Sequence, residues 1–235
     1  MLAFGLALGA RIAGLRALTL GAPIERTWWV LMFASSVQAV AAHNTGQADL
    51  ALQLYQQLLA QQAANPQVLT LLATLLHQQG QLAQAVRTFH LALEINPQYP
   101  DAYNNLACLL REQGQLDDAL LCLNAACSLR ADYVDAHNNR AAVLCDLDRP
   151  AEALQAVDMA LRLQADSLAV HFNRGNALKE LGRLKDAANE YRWCLQQSPE
   201  FAKAAGNLAI VELMLGDYPR GLARYEGRWR NFDGG

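Results

Sequence analysis

Gly46, Gly80, Gly114, Gly182 and Gly216 stand 34 residues apart or twice that, and Asp148 fills the one skipped position. Six copies of a unit therefore share one register. Small residues follow in the same phase at Ala51, Ala85, Ala119, Ala153, Ala187 and Gly221, and larger ones at Tyr55, Phe89, Leu123, Val157, Tyr191 and Tyr225. A period of this length describes one small supersecondary unit, too small to bury its own apolar face, that gains a core by stacking on its copies. Ala, Leu and Gln dominate and β-branched residues are sparse, which favours helix over strand almost everywhere. Within each unit two apolar-periodic helices flank the turn glycine, whose left-handed conformation ends the first helix and returns the chain. Asp148 can serve there because Asp and Asn tolerate positive φ better than other residues. The small residues let helix axes approach, while Leu106, Leu110 and Leu123 fill the seam. Asn96-Pro97 and Ser198-Pro199 stop second helices.

Two units show the pattern most fully: "AYNNLACLLREQGQLDDALLCLNAACSL" from Ala102 and "HFNRGNALKELGRLKDAANEYRWCLQQSP" from His171. These resemble the tetratricopeptide repeat, whose length is the one seen here. The resemblance implies an all-α protein, a right-handed α-solenoid of six helix-turn-helix repeats over residues 32–231. It leaves an apolar N-terminal lead-in over 1–31, read as a capping helix from near Pro23, and a tail at 232–235. The family's frequent Trp near the start of the first helix is Ser35, Leu69, Tyr103, His137, His171 and Ala205 here. At the end, "GDYPRGLARYEGRW" from Gly216 resembles the last repeat of bacterial tetratricopeptide proteins that continue into a glycosyltransferase domain. The chain ends at Gly235, so only a substrate-recruiting arm, not the transferase activity, is implied.

Counting the residue 14 before each turn as position 1, position 6 reads Val37, Leu71, Asn105, Asn139, Asn173 and Asn207. Asn is a poor helix-interior residue, up to about 0.7 kcal/mol worse than Ala, so helix stability does not explain a run of four. Its amide both donates and accepts, which suits the backbone of an extended peptide. By resemblance to the O-GlcNAc transferases, which carry an asparagine ladder on the concave face, Asn104, Asn138, Phe172 and Asn176 join the row. The competing reading is a duplicated structural Asn that bonds to a neighbouring repeat. A carboxylate clamp of the co-chaperone kind would need clustered cations, whereas Glu180, Asp101 and Asp135 share this surface with Lys179 and Lys203.

The remaining signals are weaker. His137 and His171 are expected to stack in adjacent repeats, as are His43 and His77, but Arg111 and Cys145 interrupt any His cluster, and no metal or other cofactor is expected. Cys108, Cys122, Cys127, Cys145 and Cys194 lack metal or redox spacing; reduced core thiols and a cytoplasmic setting follow. Arg220, Arg224 and Arg228 recur every four residues on the last helix opposite Leu222, Tyr225 and Trp229. That amphipathic helix suggests a solvated face or a docking and self-association surface. A net charge of -3 leaves no basic excess for nucleic acid. The apolar run Trp28 to Ala42 is too short for a bilayer span, so stable membrane insertion is not expected. No catalytic arrangement is readable in chain order. A non-enzymatic scaffold that binds a protein or peptide along its groove is the leading expectation. A glycosyltransferase recruiting arm and an envelope or secretion assembly factor are the alternatives.

Overall fold

The computed structural model describes residues 37–61 and 65–230, with side chains to residue 226. The expected lead-in segment lies outside these residues. There are 12 helices and no strand among them. In chain order they are α1 (37–44), α2 (Ala48–Gln61), α3 (Pro66–Gln78), α4 (Leu82–Ile95), α5 (Pro100–Glu112), α6 (Leu116–Leu129), α7 (Val134–Asp146), α8 (Pro150–Leu163), α9 (Leu168–Glu180), α10 (Leu184–Gln197), α11 (Ala202–Met214) and α12 (Tyr218–Arg230). Two compact units divide them, Met1–Pro97 and Gln98–Gly235.

Each hairpin turns as its sequence requires. Gly46, Gly80, Gly114, Gly182 and Gly216 have φ between 72° and 81°, and Asp148 has φ 56°. At every turn from α3 onward the N–H after the positive-φ residue reaches back five residues: Gln81 to Leu76, Gln115 to Leu110, Arg149 to Leu144, Arg183 to Leu178 and Asp217 to Glu212, at 2.8–2.9 Å. This is a Schellman closure, which satisfies carbonyls that the first helix would otherwise leave open. At the opposite ends Pro66, Pro100 and Pro150 occupy first-turn positions, where a missing N–H is harmless. Asn65 caps α3 by accepting from the N–H groups of Gln67 and Val68.

In the first unit α3 packs on α2 and α4, and Tyr55, Phe89 and the seam alanines Ala51 and Ala85 are buried. In the second, α5 with α6, α7 with α8, α9 with α10 and α11 with α12 form four hairpins stacked in order. Ala119, Ala153 and Ala187 are fully buried at the crossings, and Leu123, Val157 and Tyr191 fill the space beside them. First helices also touch, α5 with α7 and α7 with α9. Tyr225 departs from its series: it is 39% exposed, because no described helix follows α12 to cover it.

Candidate functional site

The first helices of the second unit, α5, α7, α9 and α11, bring the predicted asparagines into a row bonded in two runs, one through Asn105, Asn104 and Asn139 and one through Asn138, Asn173, Asn176 and Asn207. Asn139 Nδ2 donates to Asn104 Oδ1 at 2.9 Å, and Asn173 Nδ2 to Asn138 Oδ1 at 2.8 Å. The rule is position 6 of one repeat to position 5 of the repeat before. Phe172 breaks it, because its ring packs against Phe201 and Tyr191 at 5.1 and 5.9 Å and offers no acceptor. Asn207 Nδ2 turns instead to Asn176 Oδ1 at 2.8 Å, which also accepts from the Tyr191 hydroxyl at 2.8 Å. Phe172 is half-buried and packs against the core, and the asparagines are engaged in large part with one another across adjacent repeats.

The row still leaves polar groups over. Asn104 Nδ2 donates to Asn105 Oδ1 at 3.2 Å, and Asn139 Nδ2 also reaches the Cys108 sulfur at 3.4 Å. No described residue bonds Asn138 Nδ2, Asn139 Oδ1 or Asn207 Oδ1, which leaves one donor and two acceptors on a half-buried surface. Beside Asn139 lies a cleft of about 370 Å³ lined by Cys108, Arg111, Leu123, Val143 and Asp146. Arg111 and Asp146 pair across it from α5 to α7. The neighbouring cations are similarly engaged, Lys179 with Glu180 at 3.0 Å and Arg130 with both oxygens of Asp101 at 2.7 and 3.1 Å. A cluster of unpaired cations for a partner's carboxylates is therefore not formed by these three.

Two ion-pair hubs are not evident from local sequence. Arg174 on α9 bonds Asp158 of α8 at 2.8 Å and Glu190 of α10, whose second oxygen lies 2.7 Å from His171 Nδ1. Glu212 on α11, 1% exposed, lies between Arg224 of α12 at 3.1 Å and Arg192 of α10 at 3.5 Å. The signal was available in the 34-residue register: Glu212 stands where Leu76, Leu110, Leu144 and Leu178 precede it, and Arg174 where Leu72 and Leu106 stand. Arg224 is consequently tied inward and is not part of a free stripe. Arg220 is exposed and pairs with Asp217 at 3.5 Å, while Leu222 is half exposed. The side chains of Arg228 and Trp229 lie outside the described residues.

His137 and His171 do not stack on each other. Each sends Nε2 to the carbonyl of the turn before its helix, Ala131 and Ala165, at 2.9 Å, and His171 stacks on Trp193 at 3.7 Å. His43 pairs with Gln78 and Tyr55. Cys127 and Cys194 are buried and the other three thiols half-buried. Burial pushes Cys122, Cys145 and Cys194 up to about 11, far from a reactive thiolate at neutral pH. Among the described residues no group of three His, Cys, Asp or Glu side chains could hold a metal, and no helix is long and apolar enough to cross a membrane.

Fold and site together define a helical-hairpin repeat protein that carries a row of amides and two ion-pair hubs on its second unit. Family models agree along the chain. "TPR repeat" matches 109–148 and "Tetratricopeptide repeat" 91–120, while a second tetratricopeptide repeat model matches 37–100 and 172–229, more than half of the chain. The chain belongs to the tetratricopeptide repeat family, whose usual role is as a protein-interaction scaffold. No curated protein matches it. Among solved structures, pilF of Pseudomonas aeruginosa aligns with a TM-score of 0.75 at 17% identity, over 87% of this chain and 93% of that one. A tetratricopeptide repeat protein of Parabacteroides merdae gives 0.71 at 19%, over 85% and 79%. YrrB, described as having an unusual peptide-binding site, gives 0.60 at 19%, over 74% and 90%. At these identities the likeness is one of fold.

Proposed function

We propose that the first helices of the second unit hold an extended segment of a partner protein along the asparagine row. The observation that carries this is the remainder of the row: Asn138 Nδ2, Asn139 Oδ1 and Asn207 Oδ1 are left over after the inter-repeat bonds. A peptide backbone offers an acceptor and a donor at every residue, so it matches such a mixture better than a ligand of one polarity. YrrB, a protein of the same fold, is described as binding peptide and supports the reading. The bonds already made serve the same end, since they hold the amides rigid before a partner arrives.

Asn138→Asp separates the two roles. It keeps an oxygen for Asn173 to bond, and puts a carboxylate, which accepts only, where the free donor stood. Peptides selected from a random library on the wild-type protein should bind the variant about two- to tenfold more weakly, the worth of one net hydrogen bond, with thermal stability unchanged. Equal affinity of both proteins for every selected peptide would overturn the proposal.

A further inference from the structure

Arg140 on α7 and Arg174 on α9 occupy the same position one repeat apart, and their surroundings differ in the carboxylates they supply. Arg174 is completed by Asp158 from the second helix before it and Glu190 from the second helix after it. The residues 34 earlier are Asn124 and Ala156, so neither carboxylate exists at Arg140. His137, which corresponds to His171, faces the Cys127 thiol at 3.6 Å where His171 faces Glu190. Arg140 Nε is buried and makes no hydrogen bond within the protein, alone among buried side-chain nitrogens and oxygens of the described residues. Folded proteins ordinarily bond such groups. Glu152 is close enough for Arg140 to act on it through space, but both its oxygens are taken by Arg149 at 2.7 and 2.8 Å. The next repeat holds Arg183 on Asp186 in the same way, so that pair is a local helix-start feature and not the missing partner.

We infer that the seam of α6, α7 and α8 around Arg140 is a second recognition site, away from the asparagine row, that takes a carboxylate side chain from an acidic segment of a partner protein. The chain itself shows the fit. One repeat on, the same arginine on the same helix position is filled by two carboxylates, the planar acceptors that the guanidinium fork matches. The place of Asp158 is taken by Asn124, which is exposed, and Arg140 is half-buried as a residue although its Nε is enclosed. The site does not depend on the groove proposal.

The test is nuclear magnetic resonance of the arginine Nε–Hε groups in the full chain, titrated with hexaglutamate at constant ionic strength and with hexaglutamine as control. The Arg140 signal should shift saturably with hexaglutamate alone, and Arg174 should stay still because its carboxylates are already in place. Asn124→Asp, at an exposed helical position, supplies the carboxylate internally. It should move the Arg140 signal in the absence of peptide and weaken the hexaglutamate response at least tenfold, with helix content unchanged. An Arg140 signal that ignores hexaglutamate, or that responds equally in Asn124→Asp, would overturn the assignment. So would a stronger response to inorganic phosphate than to hexaglutamate, which would make the site one for phosphate.

Discussion

Asn139 shows how a single side chain can be legible in a sequence while its partners are not. The 34-residue step exposes it as one of four asparagines at a position where alanine makes the better helix, so some use beyond the helix is implied. What it bonds depends on position 5 of the preceding repeat, which is Asn104 for Asn139 but Phe172 for Asn207. No periodicity announces that diversion to Asn176 and Tyr191, because it follows from one ring occupying space. Replacing Asn139 with Ala would leave Asn104 Oδ1, on a residue only 6% exposed, without its donor. An unsatisfied buried acceptor costs about 1–3 kcal/mol, against at most about 0.7 kcal/mol gained in helix propensity. Asn139→Ala should therefore lower unfolding stability by about 0.5–2 kcal/mol in a denaturant titration. A rise would mean that the amide contributes nothing to holding α5 and α7 together.

At the scale of helices and turns the correspondence is closest, because turns are set by local backbone sterics. The 34-residue register marks five glycines and one aspartate as left-handed turn residues, and all six have positive φ. Asp148 is the exception that invites measurement. An L-residue in this conformation is disfavoured by roughly 1–2 kcal/mol, less for Asp, and glycine carries no such penalty. Asp148→Gly should raise stability by up to about 1 kcal/mol while the helix content of α7 and α8 is retained, and a fall on thermal melting would show the carboxylate to be needed there. Elements hid their partners where charges replaced leucines. Arg174 and Glu212 look like surface residues in a local window, and only the neighbouring helices reveal that each is enclosed by two opposite charges.

The order of the repeats in the second unit is itself encoded. Asp158 and Glu190 surround Arg174, and 34 residues later Arg192 and Arg224, at the same two positions, surround Glu212 with the signs reversed. A hairpin moved out of turn would set like charges together, whereas the first hairpin of the unit contributes to neither hub and the second contributes only Asp158, so these two should be the more expendable. Because each repeat draws its stability from its neighbours, removing residues 134–167 should leave a shorter cooperative fold. Asn173 would then meet Asn104, an acceptor of the same kind as Asn138. Removing only 134–150 would delete α7 and strand α8, and should abolish cooperative melting; equal damage from both deletions would contradict the independence of the repeats. The asparagine row has one more consequence, a mechanical one. Its three amide-to-amide bonds between repeats all lie along the first helices, at 2.8–2.9 Å. Flexing that splays those helices must stretch the bonds, while flexing the opposite way presses bonds already near the short end of their range against their repulsive wall. Thermal bending of the unit should thus be restrained in both senses along the row.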